Sequence, residues 1–201
     1  MSEAERRRIA ARYRHSFGDD IGRKALDRTA VERGFTLLNE ALARDGIKAT
    51  VNLVGGVVML LAHEIRPKTQ NIDGWVALEN HIEKHILAVG KVLGDERWLN
   101  EQALMYFPDK HQGKGDWLPW RDYGNLIVQT ADERTMFAMK ALALRNAKDR
   151  KDFQYLAEIL NVRTTVEAMA IVSNYYSDAS LDSRARSMIT EVLDELDSRR
   201  C

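Results

Sequence analysis

Asn71 and Asp73 flank one apolar residue, Ile72, in a segment that predicts a short β-strand over residues 71–76. Alternate residues of a strand point to the same face, so the amide and the carboxylate should lie side by side. Carboxylate and amide oxygens are the ligands that Mg²⁺ takes where it bridges to phosphates. The pair therefore predicts a site for Mg²⁺ or Mn²⁺ at Asp73 and Asn71, with one negative charge where an acid pair would supply two.

A double glycine, Gly55-Gly56, lies between a β-rich stretch over residues 48–54 and an apolar helical stretch over residues 57–65. Glycines at such a turn leave backbone N–H groups at a helix start, where a phosphate could approach closely. A double glycine more often marks only a tight bend. The acid on the following strand, Asp73, is the feature that favours phosphate binding here.

The elements around these residues predict an α+β protein with a small mixed sheet and a helical C-terminal region. Apolar residues at helical spacing predict two helices before the core, which end near Gly46. The remaining predicted elements are a helix at 78–93, loop with short strand pieces at 107–124, a strand at 125–129, and helices from residue 131 onward. We therefore divide the chain into N-terminal helices (1–46), a core (47–130) and a helical region (131–201), which together form one compact unit.

Charge and cysteine content limit the classes of protein. Thirty basic and thirty acidic residues cancel, so a polyanionic partner would have to be met by a local basic patch. The single cysteine, Cys201, cannot pair within the chain, which favours a reducing cytoplasm. Residues 1–14 carry no apolar run typical of a signal peptide, and the longest apolar stretch is shorter than the roughly 20 residues that span a bilayer. We expect a soluble cytoplasmic protein without a membrane partner.

Several elements between about residues 50 and 156 share the order and spacing of a known superfamily. They are Val54-Gly55-Gly56, Arg66 with Thr69, Asn71-Ile72-Asp73, Trp98-Leu99-Asn100, Lys140 with Arg145, and residues 148–152. In these elements the chain resembles the nucleotidyltransferase-fold superfamily. The closer resemblance is to its toxin-like bacterial branch, related to the AbiEii toxins and to nucleotidyltransferase-like proteins of uncharacterised function.

The resemblance implies Mg²⁺-dependent transfer of a nucleotidyl group from a nucleoside triphosphate to RNA, such as tRNA, or to a protein. It also implies a role as a toxin or phage-defence component, with an antitoxin or other partner protein. The implied catalytic residues are Asn71, Asp73, Lys140, Asp149 and Asp152. The implied nucleotide-binding residues are Gly55, Gly56, Arg66, Lys68 and Thr69. Asn71 departs from the family pattern, which has Asp there, so we expect the activity of this form to be impaired.

Each of these assignments has a structural alternative. Lys140 could be a solvated helix lysine, and Asp149 and Asp152 could simply favour the start of a helix through its dipole. Arg66 and Lys68 could flank a loop instead of clasping a triphosphate. At the level of function, the alternative is a catalytically inactive relative that keeps the fold as a binding or regulatory subunit, which the missing carboxylate favours.

Two further groups of residues could carry chemistry. His81 and His85 lie four residues apart on a predicted helix, as zinc-binding histidines can, but no third ligand is evident and a surface or interfacial helix face is favoured. Trp98, Trp117 and Trp120 could stack a base, although tryptophans more often fill a core or cover a cleft.

Overall fold

The fold divides into two compact units of the chain. The computed structural model describes residues 1–14, 25–76, 82–108, 115–144, 147–177, 181 and 183–199. Unit 1 comprises Met1–Gly18, Met105–Asp116 and Asp132–Cys201, and unit 2 comprises Asp19–Leu104 and Trp117–Ala131. The helices expected over residues 1–46 are thus shared between the units, whereas the border expected at residue 131 separates unit 2 from the helices that follow it.

Unit 2 contains the strands and three of the helices. Its helices are α2 (Arg28–Arg44), α3 (Gly56–Leu61) and α4 (Glu83–Leu93). Its strands are β1 (Leu26–Asp27), β2 (Ala49–Leu53), β3 (Lys68–Thr69), β4 (Ile72–Val76), β5 (Leu99–Asn100), β6 (Trp117–Asp122) and β7 (Leu126–Ala131). A 3₁₀ helix, Glu101–Tyr106, begins directly after β5.

A five-stranded mixed sheet has the order β5-β4-β2-β7-β6, and β1 pairs separately with β3. Strand β2 runs antiparallel to β4 and parallel to β7, while β4 runs parallel to β5 and β6 antiparallel to β7. The connection from β2 to its antiparallel neighbour β4 passes through the double glycine and α3. This connection brings the glycine turn and the acidic strand to neighbouring positions of the sheet.

One face of this sheet forms the core of unit 2. Because strand residues alternate, Val51, Leu53 and Val128 share a face, and all three are fully buried. Helix α2 begins with an Asp27 side chain that accepts a hydrogen bond from the Ala30 N–H, and its apolar side contributes fully buried Phe35. The opposite sheet face carries Asp73, so the same alternation that builds the core presents the acid on the other side.

Unit 1 is helical. It contains α1 (Glu3–Arg14), α5 (Glu133–Leu142), α6 (Ala147–Ile159), α7 (Thr165–Val172) and α8 (Ser183–Ser198). Its core includes a stacked pair of buried rings, Phe137 and Phe153, with centroids 4.6 Å apart. Helix α7 begins with the predicted capping box. The Thr164 hydroxyl accepts a hydrogen bond from the Glu167 backbone N–H, and the Glu167 carboxylate accepts one from the Thr164 backbone N–H.

The α+β class, with a mixed sheet and a helical C-terminal region, is confirmed. Several bounds differ from the prediction, among them the following three. The acidic strand begins at Ile72, so Asn71 precedes it; helix α3 ends at Leu61; and the expected loop at 107–124 contains the six-residue strand β6. Across the described residues, no helix combines the length and apolar character needed to cross a membrane.

Candidate functional site

The Gly55 turn and the Asp73 carboxylate are packed directly against each other. Gly55 has φ +71° and ψ −145°, a conformation that side-chain-bearing residues rarely adopt. A Cβ at this position would lie 2.7 Å from Asp73 Oδ2 and 3.3 Å from its Cγ. The adjacent Val54 N–H donates to the Asp73 carbonyl over 2.9 Å. Only glycine therefore permits this approach of the carboxylate to the turn.

The second glycine is approached by a cation and a hydroxyl. A Cβ at Gly56 would lie 2.9 Å from an Arg66 guanidinium nitrogen and 2.9 Å from Thr69 Oγ1. Thr69 is 4% exposed, and its hydroxyl donates to the Asn71 carbonyl over 2.9 Å. Thr69 therefore holds the chain that leads into β4, while half-buried Arg66 brings positive charge to the glycine turn. Lys68 is exposed on β3.

Strand register determines which residue faces Asp73. In the parallel pairing of β4 with β5, Asp73 lies opposite Asn100, whose Nδ2 donates to Asp73 Oδ1 over 2.8 Å. Asn71 is exposed and lies before the strand. Asn71 is therefore not part of the strand, so strand alternation does not place it beside Asp73 as predicted. The amide that contacts the Asp73 carboxylate is that of Asn100.

The sheet face that carries Asp73 also carries polar and aromatic residues that the sequence did not single out. Register and alternation place Asn52, Trp75 and Gln129 on this face. Asn52 is 8% exposed, and its Oδ1 accepts no hydrogen bond from any described residue. Trp75 packs edge-on against Trp117 with ring centroids 5.2 Å apart. An amide between two apolar residues of β2, Val51 and Leu53, was the signal that could have identified Asn52.

The donors around Asp73 would fit one magnesium ion only if most of its ligands came from a bound molecule and waters. Mg²⁺ in nucleotide sites takes one or two protein carboxylates and completes its shell with phosphate oxygens and waters. Asp73 supplies one carboxylate. In the described part of the chain, no group of three or more His, Cys, Asp or Glu residues is placed to hold a metal. The donor set accordingly does not fit a pair of metal ions held by the protein alone.

The predicted residues Lys140, Asp149 and Asp152 form an ion cluster within unit 1. Lys140 Nζ lies 3.1 Å from Asp149 Oδ1 and 2.7 Å from Asp152 Oδ2, which links α5 to α6. Lys140 is 7% exposed and Asp152 is fully buried, whereas the Asp149 side chain is 18% exposed. Lys140 is thus not a solvated surface lysine. The buried Asp152 carboxylate forms an ion pair with Lys140, and Asp149 is the carboxylate of the cluster that is accessible to solvent.

The two other groups of candidates have structural partners. His85 is buried and its Nε2 lies 2.9 Å from Asp45 Oδ2. Hydrogen bonds from Lys84 and His85 hold the pKa of the Asp45 carboxyl below its usual value. Trp98 fills the core of unit 2, where its Nε1 donates to the Ile86 carbonyl over 2.9 Å. His81 and Arg145, the Lys148 side chain and Cys201 lie outside what the structure describes.

Comparison of the chain with protein-family models, with curated proteins and with solved structures gave no match.

Proposed function

We propose that this protein binds a nucleoside triphosphate, with one Mg²⁺, on the Asp73 face of unit 2 and transfers its nucleotidyl group to a hydroxyl of RNA or protein. The observation that carries this proposal is the glycine-only turn at Gly55, against which the Asp73 carboxylate packs at a separation that no other residue allows. Arg66 at the second glycine supports it, because a guanidinium pairs well with phosphate oxygens.

The chain's own residues would divide the work as follows. Asp73 would hold the magnesium ion, which neutralises the triphosphate when bound. Arg66 would pair with a phosphate, while Thr69 would keep the β4 approach in place through the Asn71 carbonyl. Asn52 Oδ1, buried and without a hydrogen bond among the described residues, would accept one from the nucleotide.

In the transfer step, the acceptor hydroxyl oxygen forms a bond to the α-phosphorus as the bond from that phosphorus to the β-phosphate oxygen breaks. Pyrophosphate leaves, and the hydroxyl proton passes to a carboxylate or to solvent. A site with one carboxylate supplies less charge compensation than a site with two. We therefore expect transfer by this form to be slow, with Asn71 as the residue where the resemblance expects the second acid.

A catalytically inactive binding or regulatory subunit, for instance of a toxin–antitoxin or phage-defence assembly, is the second candidate. The observation that favours it is the pairing of Asp73 with an amide, Asn100, where a catalytic site would need further negative charge. Such a subunit would bind nucleotide without transferring it, or would bind only its partner.

The test compares thermal stability and transfer for three variants and one control. A ligand at 100 times its dissociation constant adds about 2.7 kcal/mol of stability, so triphosphate with Mg²⁺ should raise the melting temperature of the parent chain. Asp73→Asn should abolish that shift, whereas Asp122→Asn, at the exposed end of β6, should retain it. Comparing the transfer rates of Asn71→Asp and Asn100→Asp shows at which of the two positions an added carboxylate increases transfer.

Labelled triphosphates incubated with total cellular RNA and protein report the transfer itself. We expect label to enter one of the two pools with Asn71→Asp at a higher rate than with the parent chain. Nucleotide-dependent stabilisation without labelling by any variant would favour the binding subunit. A folded Asn71→Asp protein with neither stabilisation nor labelling would refute the proposal.

A further inference from the structure

Unit 1 contains a groove of about 930 Å³ between α1, α6 and α8, and basic side chains outnumber acidic ones in its lining. Arg8, Arg12, Lys151, Arg163 and Arg199 line it, against two acidic residues, Glu5 and Glu158. This is an excess of three positive charges in a chain whose formal net charge is zero. The local basic patch that a polyanionic partner would require is therefore present in this groove.

Side-chain contacts join α1 to α6 along the groove. Ile9, Ala10 and Tyr13 form the buried side of α1, and the Tyr13 hydroxyl donates to Glu158 over 2.9 Å. Burial and the neighbouring Glu158 raise the pKa of Tyr13, so this hydroxyl keeps its proton and its hydrogen bond. Arg12 pairs with the same Glu158 over 2.6 Å. One of the two lining acids is therefore already engaged with groove residues.

Three of the other basic groups, Arg8, Arg163 and Arg199, are exposed to solvent. Arg8 and Arg163 are exposed, and neither forms an ion pair with another described residue. The Arg199 side chain is 62% exposed and lies 3.9 Å from its nearest acid, Glu195. Exposed, weakly paired arginines lose little on exchanging water for phosphate, and their planar donors match phosphate oxygens.

We propose that this groove binds the sugar-phosphate backbone of a single-stranded nucleic acid. A concave basic channel follows a single strand, whereas a duplex presents a broad convex surface to its partner. Four of the apolar lining residues, Ile9, Tyr13, Ile159 and Leu196, are each 9% exposed or less, and Met1 is 52% exposed. One exposed apolar side chain does not form the cluster of anchors that a protein partner would need. The burial of the other four leaves no exposed ring for base stacking among these lining residues, so recognition is independent of sequence.

This inference does not depend on nucleotide binding at Asp73, because the groove lies wholly within unit 1 and is tested without triphosphate. The measurement is fluorescence anisotropy of labelled single-stranded RNA and DNA across a salt series. Each phosphate neutralised on a single strand contributes about −0.7 to the slope of log K against log salt, so contacts from the three exposed arginines give a slope of about −2.1.

Removing two contacts with Arg8→Gln/Arg163→Gln should bring the slope to about −0.7. Extrapolated from 1 M salt, this corresponds to roughly 25-fold weaker binding at 0.1 M. The control Arg134→Gln/Arg184→Gln removes the same charge from exposed positions of unit 1 outside the groove, and it should retain the parent slope. All four positions are exposed, so both double variants should have the same melting temperature as the parent chain.

Binding of either single strand with the expected loss in the groove variant supports the proposal, and a preference for RNA would add contacts to the 2′-hydroxyl. Equal losses in the groove and control variants would overturn it, as would tighter binding of a duplex of the same length. Displacement of the strand by poly-glutamate at equal charge concentration would also overturn it and would indicate an acidic protein partner. Absence of single-strand binding by the parent chain at low salt would overturn it as well.

Discussion

Gly55→Ala tests whether the contact between the glycine turn and Asp73 is as specific as its geometry indicates. The alanine methyl group would meet Asp73 Oδ2 at 2.7 Å, in a backbone conformation of φ +71°. Backbone strain of this kind costs about 1–3 kcal/mol. Displacing the carboxylate also breaks its hydrogen bond from Asn100, which is worth about 1.5–3 kcal/mol for a charged acceptor. We expect a total loss of roughly 3–5 kcal/mol in the free energy of unfolding.

Gly46→Ala is a control for positive φ without a collision, because Gly46 has φ +66° but no atom within 4 Å of its added Cβ. It should lose only the backbone term, about 1–2 kcal/mol. Urea denaturation gives the free energy of unfolding of both variants. The loss at Gly55 beyond the loss at Gly46 then includes the steric clash with Asp73. Adding Asp73→Ala to Gly55→Ala removes the colliding carboxylate, so the double variant should recover about 0.5–3 kcal/mol relative to additivity. Equal losses at the two glycines, together with additive behaviour of the double variant, would refute the reasoning.

Two further predictions concern charged groups that are not part of the glycine turn. Lys140→Met should lower the free energy of unfolding, measured by urea denaturation, by about 3–5 kcal/mol, because it leaves fully buried Asp152 without its cation. Adding Asp152→Asn should recover part of this loss. Asp45→Asn should lower the melting temperature above about pH 4, where the hydrogen bonds from Lys84 and His85 favour the carboxylate. The difference from the parent should vanish as the pH falls through the lowered pKa of Asp45; a difference that grows towards acid would contradict this sign.

The parts of the fold that local sequence determines were predictable. Apolar periodicity and caps indicated the helices, and the succession of strand, double glycine, helix and acidic strand predicted that Asp73 lies near Gly55. The short strand pieces expected within 107–124 were not predicted to form the continuous strand β6, because Pro119 and neighbouring polar residues are typical of loops. Proline lacks an N–H, and an edge strand next to β7 tolerates this at a register irregularity between Pro119 and Arg121.

Pairings distant in sequence were not predictable. Asn100 faces Asp73 across 27 residues because β5 adds to the outer edge of β4, and a two-residue strand carries too little pattern to reveal its register. The basic groove depends on Arg12 reaching Glu158, 146 residues away. Each basic residue of that groove looks like an ordinary solvated charge in the sequence, and only the packing of α1 against α6 and α8 brings them together.

The amide at Asn100 bears on how metal and nucleotide would bind. An amide N–H₂ can donate to ionised Asp73 Oδ1, so this carboxylate oxygen is satisfied by the protein itself. A carboxylate at residue 100 would instead place two negative charges within hydrogen-bond distance and would need a cation between them. With Asn100 in place, Mg²⁺ alone meets one carboxylate that already has a donor. Under the proposed function, the triphosphate would then supply most of the ligands, so metal and nucleotide should stabilise the protein together and Mg²⁺ alone should not.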